Sequence, residues 1–206
     1  RLAALQNGAE YAPGLVGPAF SFDGSTEKVR IAESTRIDIS RTNKWAIEAW
    51  VKPTSFNNAP YPTIYSEGNK IASLGVNSAG NLESWINNNS ATRLVGSNAL
   101  TLNVWNHVAL VRDGNNRTLY VNGVVAGATN STPNTTGDST GSSIGHVTSS
   151  ETVSAFQGQI DELSLYFGVF DTNQIAAIYT AGSAGKCYSN TPAPVFVIQP
   201  ESQTNY

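Results

Sequence analysis

The sequence predicts an all-β fold, a sandwich or barrel of short antiparallel strands, and three observations carry that expectation. Turn signals recur along the whole chain: Pro13-Gly14, Asp23-Gly24, Glu67-Gly68-Asn69, Ser78-Ala79-Gly80-Asn81, Asp113-Gly114, Asn122-Gly123 and Gly137-Asp138. Between them lie β-branched and aromatic runs of strand length. Charged residues are 13% of the chain and hydrophobic residues 40%. A sizeable core is therefore available, and its surface must be covered mainly by Asn, Ser, Thr and Gly, as in secreted β proteins.

Taken in order, the strand candidates are Ala19-Phe22, Lys28-Ile31, Trp45-Lys52, Pro62-Glu67, Ile71-Val76, Leu82-Ile86, Leu94-Ser97, Trp105-Arg112, Thr118-Val121, Val124-Ala128, Gly141-Ile144 and Gly158-Phe167. The clearest pair spans Trp105 to Gly123. Val108 and Leu110 alternate with Trp105, His107, Ala109 and Val111, and the turn Asp113-Gly114-Asn115-Asn116 returns the chain into Thr118-Val121. One helix is expected, capped by Asp171 or Thr172, running to Tyr179 and ending near Gly182, with Ile175, Ile178 and Tyr179 on one face.

Several function classes are disfavoured by composition. The net charge is −3 and no basic run exists to neutralise phosphates, so nucleic acid is not an expected partner. No apolar stretch approaches the ~20 residues that cross a bilayer, so no membrane insertion is expected. Arg1 is not Met, and the chain reads as a segment of a longer or processed product. The one cysteine, Cys187, excludes a disulfide within the segment and a thiolate zinc cluster. It is either a small residue in a turn or the partner of a cysteine outside the segment. After it, Ser189-Asn190-Thr191-Pro192-Ala193-Pro194 has linker composition, and Val195-Phe196-Val197-Ile198 reads as the opening strand of a further, immunoglobulin-like module. The expected division is 1–187 for the main domain and 188–206 for linker and next module.

Four segments, in order, resemble one family. Tyr11-Ala12-Pro13-Gly14 through Gly17-Pro18-Ala19-Phe20-Ser21-Phe22-Asp23-Gly24 is similar to its first strand, and Ala46-Ile47-Glu48-Ala49-Trp50-Val51-Lys52-Pro53 to its central strand. The Trp105 hairpin follows, then Gly158-Gln159-Ile160-Asp161-Glu162-Leu163 as the last long strand, with the short helix after it. Over about residues 5 to 187 the chain thus resembles the concanavalin A-like, laminin G-type jelly rolls of bacterial secreted proteins. The resemblance implies a two-sheet antiparallel jelly-roll sandwich with one short C-terminal helix, an extracellular or cell-surface location, and first and last strands side by side. It also implies a structural calcium ion near that junction. Asp23 and Asp161 are the first-choice ligands, with Ser21 or Gly24 offering a carbonyl, since calcium takes six to eight oxygens. The plainer reading makes Asp23 a turn cap and Asp161 a charge held by a backbone amide or by an arginine such as Arg112.

The paired carboxylates of a glucanase are missing. Glucanases on this scaffold need two carboxylates facing one cleft, about 5–5.5 Å apart for retention. Glu48 and Glu83 each stand alone on their strands, and Asp161-Glu162 are consecutive, which on a regular strand sends them to opposite faces. His107 and His146 lack zinc-pair spacing. His107 reads as a structural histidine, whereas His146, after Gly145, is a candidate for lining a ligand pocket.

Sugar recognition needs an aromatic platform flanked by amides, carboxylates or guanidinium groups. Glu83, Trp85 and Asn87 share one strand face and Leu82, Ser84 and Ile86 the other. The first set is expected to project outward with Trp85 exposed or half exposed, joined by Tyr61, Tyr65 and Arg93. The competing reading is a tryptophan covered by a loop or by the helix, with Glu83 solvated. Trp45 and Trp50 are expected in core or inter-sheet packing. Asn88, Asn116, Asn130 and Asn134 occupy N-x-S/T positions, read as soluble loops, and Thr129–Ser143 is a long polar loop of a kind that carries binding. The leading function is a non-catalytic carbohydrate-binding or adhesion module of a larger secreted or surface protein, with carbohydrate, another surface protein or adjacent domains as partners. The alternatives are a spacer or protein-interaction module and, distantly, a glycoside hydrolase-like domain.

Overall fold

In the computed structural model the described residues are 3–34, 37–57, 59–68, 71–135, 141–148 and 154–186, with the backbone of 196–197. The turn-punctuated runs form β1 (Ala3–Gln6), β2 (Glu10–Pro13), β3 (Pro18–Asp23), β4 (Lys28–Ile31), β5 (Lys44–Ser55), β6 (Thr63–Glu67), β7 (Ala72–Val76), β8 (Asn81–Ile86) and β9 (Asn89–Ala99). There follow β10 (Asn106–Asp113), β11 (Asn116–Val121), β12 (Val124–Thr129), β13 (Ser142–Ile144), β14 (Gln157–Tyr166), helix α1 (Thr172–Ala181) and β15 (Phe196–Val197).

The strands make two antiparallel sheets. The first has the order β1-β4-β13-β6-β7-β8-β9, and the second β12-β11-β10-β5-β14-β3-β2, with β15 also pairing with β14. The predicted sandwich is what forms. Its core lies between the sheets, where Trp45, Ile47, Ala49 and Val51 of β5 and Val108 and Leu110 of β10 meet Leu74, Leu82 and Ile86 from the facing sheet. Alternation then sends Ala46, Ala109, Val111, Tyr120 and Tyr166 to the outer face of the second sheet, where Ile175 and Ile178 of α1 cover them. Trp50 is buried, as expected, but in this outer layer and not between the sheets, with its ring 5.8 Å from that of Tyr179. The helix starts where predicted. Asp171 accepts the Gln174 N–H at 2.8 Å and Gln174 accepts the Asp171 N–H at 2.9 Å, a reciprocal cap.

Three features depart from the expected elements. The stretch taken as one first strand, Tyr11 to Asp23, is a hairpin: the Gly14 N–H donates to the Gly17 carbonyl at 2.6 Å and splits it into β2 and β3. β1 was not foreseen, because it is mostly exposed and shows no apolar alternation. β14 is not a regular strand: its register with β5 shifts between Asp161 and Ser164, where Glu162 has φ 52°. That bulge breaks the alternation that was to separate Asp161 from Glu162.

The outermost strands β9 and β12 approach each other across one flank of the sandwich. A Cβ on Gly127 would stand 3.0 Å from the Val95 carbonyl oxygen, and one on Gly96 would stand 3.2 Å from the Ala126 methyl. Glycine at both positions permits this approach, which a hydrogen bond from Ser97 Oγ to the Ala126 carbonyl at 3.0 Å secures. Cys187 lies outside the described residues. In the segment read as a further module, Phe196–Val197 pairs with Leu165 and Ser164 of β14.

Candidate functional site

β8 behaves as its alternation predicts. Leu82 and Ile86 enter the core, and Glu83 and Trp85 stand on the outward face of the first sheet. They form a closed cluster. The Trp85 Nε1–H donates to Glu83 Oε1 at 3.1 Å, while Glu83 Oε2 accepts Arg93 Nε at 2.9 Å and pairs with Arg93 Nη2 at 2.7 Å. The Arg93 guanidinium lies 5.9 Å from the centre of the Trp85 ring, and Tyr61 meets that ring edge-on at 5.1 Å. Tyr61, Glu83, Trp85 and Arg93 are thus brought together.

Their exposure follows the reading in which a loop covers the tryptophan, except that Glu83 is buried too. Trp85 is 8% exposed and Glu83 1%, so Trp85 is not an open platform and Glu83 is not solvated. The cause is local. Gly75 pairs with Glu83 in the sheet, and the Pro62 carbonyl oxygen would stand 2.8 Å from any Cβ at position 75. The chain before β6 therefore packs down on this face and lays Tyr61 against the indole. Arg93, 37% exposed at its side chain, and half-buried Tyr61 form the solvent-facing rim.

The other residues proposed for this site stand elsewhere. Asn87, left-handed at φ 55°, donates to the Asn134 carbonyl at 2.9 Å. Tyr65 is buried between the sheets and donates to Glu67 at 2.6 Å; burial and the Glu67 charge push its hydroxyl well above the usual tyrosine value. His146 is buried after β13, with Nδ1 2.9 Å from the Val147 carbonyl. β6 and β7 lie between β13 and β8, roughly 14 Å at the spacing of neighbouring strands.

The suggested calcium ligands do not converge. β3 and β14 are neighbours, but the register sets Asp23 opposite Gln157, so about 13 Å of strand separates it from Asp161. The Asp161 carboxylate accepts the N–H groups of Leu15 at 2.8 Å, Val16 at 2.9 Å and Glu162 at 2.8 Å, locking the β2–β3 turn. Asp23 accepts from the Ser25 amide at 2.8 Å and hydroxyl at 2.6 Å, which hold its carboxyl below the usual aspartate value. Ser21 pairs with Gln159, and Gly24, at φ 87°, belongs to the turn after Asp23. Among the described residues, no group of three or more His, Cys, Asp or Glu is placed to hold a metal ion. These residues do not fit an inter-strand calcium ion.

The outer face of the second sheet holds a buried polar network that the sequence reading missed. Glu48 Oε1 accepts from Tyr166 at 3.1 Å and pairs with Lys186 Nζ at 2.5 Å, while Oε2 lies 3.2 Å from His107 Nε2. Lys186 also donates to the Ser164 hydroxyl at 2.7 Å and to the Glu162 carbonyl, and Glu162 Oε2 stands 3.8 Å away. Burial alone would raise the Glu48 carboxyl, but Lys186 and His107 outweigh it and hold it below the usual glutamate value. Burial and the Glu48 charge raise the Tyr166 hydroxyl. The signal was present: an acidic residue on the face that alternation gives to Ala46 and Trp50 requires a buried partner. Glu48 and Glu83 stand on different sheets and face away from each other.

Comparison with known proteins agrees with this architecture. A sequence model of the concanavalin A-like lectin/glucanase superfamily, of laminin G type, matches residues 23–176. No curated protein sequence matches the chain. The fourth domain of AbnA, an extracellular arabinanase from Geobacillus stearothermophilus solved with arabinotriose, is similar at 20% identity and a TM-score of 0.65, covering 85% of this chain and 86% of that one. A Bacteroides ovatus protein to which carbohydrate binding is ascribed has 18% identity and a TM-score of 0.62, covering 76% of this chain and 45% of its own. Botulinum neurotoxin type C, whose cell entry depends on interaction with two ganglioside molecules, has 15% identity and a TM-score of 0.67, covering 87% of this chain and 46% of that one. The chain thus spans less than half of the Bacteroides and toxin chains.

Proposed function

Since the chain belongs to the concanavalin A-like lectin/glucanase superfamily, we propose that it is a non-catalytic carbohydrate-binding module of a larger secreted or cell-surface protein, contacting glycan through Tyr61 and Arg93 above Trp85. One observation carries this reading. Glu83, itself buried, spends both oxygens on holding Trp85 and Arg93, which fixes a guanidinium and an aromatic edge at the surface. Such an arrangement offers a ring for the apolar face of a sugar and donors for its hydroxyls, already ordered before binding. The sugar partners of the Geobacillus and toxin domains support the same class of ligand. Among the described residues no helix is long and apolar enough to cross a membrane. Calcium has no step in this reading, because Asp23 and Asp161 do not form one site.

The second reading is a spacer or protein-interaction module, and the burial of Trp85 favours it. A glycan array, followed by titration with the best ligand, separates the two. Arg93→Ala and Tyr61→Ala are expected to weaken binding at least tenfold, equally in calcium and in chelator. Absence of glycan binding, or binding that ignores both substitutions, would transfer the assignment to the spacer.

A further inference from the structure

Two arginines lie between the sheets, and among the described residues neither has a counter-charge. Arg112 on β10 and Arg117 on β11 are cross-strand partners, 0% and 1% exposed. They share the inward face of the second sheet with Leu110 and Leu119. Trp45 on β5 is the register partner of Arg112, so the three side chains form one row across adjacent strands. Residues 129–135 close this end. The Thr132 N–H donates to the Asn115 carbonyl at 3.0 Å, and the Thr135 hydroxyl donates to the Ser40 carbonyl.

What the guanidinium groups touch is neutral. Arg112 donates through Nε to the Gly114 carbonyl at 3.1 Å and through Nη2 to the Pro133 carbonyl at 2.9 Å. Arg117 donates through Nη1 to the Ser84 hydroxyl at 3.3 Å and through Nη2 to the Thr92 carbonyl. Among the described residues no carboxylate pairs with either. Four buried polar atoms in this neighbourhood remain unsatisfied: Arg112 Nη1, Arg117 Nε, Trp45 Nε1 and Thr132 Oγ1. Burial lowers both guanidinium groups, and burial together with the Arg112 charge brings Arg117 down to about 10. Like charges paired across strands repel, and a buried charge without compensation is costly. An arrangement of two cations, an indole N–H and a hydroxyl that can turn its proton inward is complementary to negative charge.

We infer that the Arg112–Arg117 pair, with Trp45 Nε1 and Thr132 Oγ1, binds a small inorganic anion, a halide or an oxyanion of the sulfate class. The guanidinium groups are buried between the sheets, so the ligand inferred is a small ion and not a glycan. The site is separate from the Tyr61–Trp85–Arg93 cluster, which stands on the outside of the first sheet. Its ligand would bind where Arg117 already joins β11 to β8 and β9, and so would fasten the two sheets together.

Thermal unfolding tests this, with chloride or sulfate titrated at constant ionic strength against a bulky organic sulfonate. Ligand that binds only the folded state raises the midpoint, by about 5–10 °C at a hundredfold excess over Kd for a domain of this size. The rise is expected to saturate in the wild type and to vanish in Arg117→Met, whereas general salting effects are unsaturable and shared by both. Crystals of the wild type soaked in bromide supply a measurement that does not depend on a variant folding. An anomalous peak, or tetrahedral density after sulfate, in contact with both guanidinium groups is expected and distinguishes halide from oxyanion. Water alone between them, or a midpoint that rises equally in wild type and variant, would overturn the assignment.

Discussion

The outward faces of the two sheets each carry a buried glutamate, and the two are built alike up to the last step. On the second sheet Glu48 is held by Tyr166, His107 and Lys186, and α1 packs over the neighbouring side chains. On the first sheet Glu83 is held by Trp85 and Arg93, and a loop carrying Tyr61 leans over them. The cations differ: Lys186 is 13% exposed at its side chain and Arg93 37%. A buried carboxylate with a cation and an aromatic neighbour is therefore not by itself a sign of function. Where the cation is sealed in, the group fastens the C-terminal helix layer; where it reaches solvent, the same chemistry gives the edge proposed here to meet glycan.

Removing the sealed cation should have the largest effect. Lys186→Met leaves Glu48 buried without its lysine and is expected to cost about 3–5 kcal/mol in urea unfolding. Pairing it with Glu48→Gln should recover much of the loss; a loss under ~1 kcal/mol for the single variant would mean that Glu48 reaches water, erasing the contrast.

The acid limb of stability sharpens the same point. Glu48 is held below its ordinary value of 4.5 when folded, so its contribution is complete above that pH and disappears as pH falls through the lowered folded value. Glu48→Gln should flatten stability against pH in that window, and an unchanged acid limb would remove Glu48 as a source of it. Glu83→Ala should cost less, about 1–3 kcal/mol, because freed Arg93 can turn to water. It should nevertheless weaken glycan binding, and intact affinity would break the bracing role given to Glu83. Tyr61→Ala should be mildest in unfolding, about 0.5–1.5 kcal/mol for a lost ring contact. Its effect belongs to binding, and a cost as large as that of Lys186→Met would make the rim structural.

Most of the fold was legible because strand period and turn chemistry act locally. The Trp105 hairpin, the β8 alternation and the Asp171 cap all depend on residues within a few positions. Pairing of the first and last strands followed from resemblance, but register did not, and register is what keeps Asp23 from Asp161. Trp85 was placed on the correct face with its exposure left between two readings, since its cover comes from a loop about twenty residues earlier, admitted by Gly75. The same limit hid Lys186. Nothing in its own neighbourhood indicates that it returns to β5, and only the loneliness of Glu48 in an apolar strand called for such a partner.

The meeting of Gly96 and Gly127 has a consequence for how copies of this fold tolerate crowding. Unguarded outer strands invite an identical neighbour to add its own strand, the usual entry to domain exchange and fibre growth. Here β9 and β12 shield each other, because two residues without side chains let their backbones come close. Replacing either glycine with a valine would prise that seam apart, and the first symptom would be stickiness at high concentration, before any loss of ligand recognition.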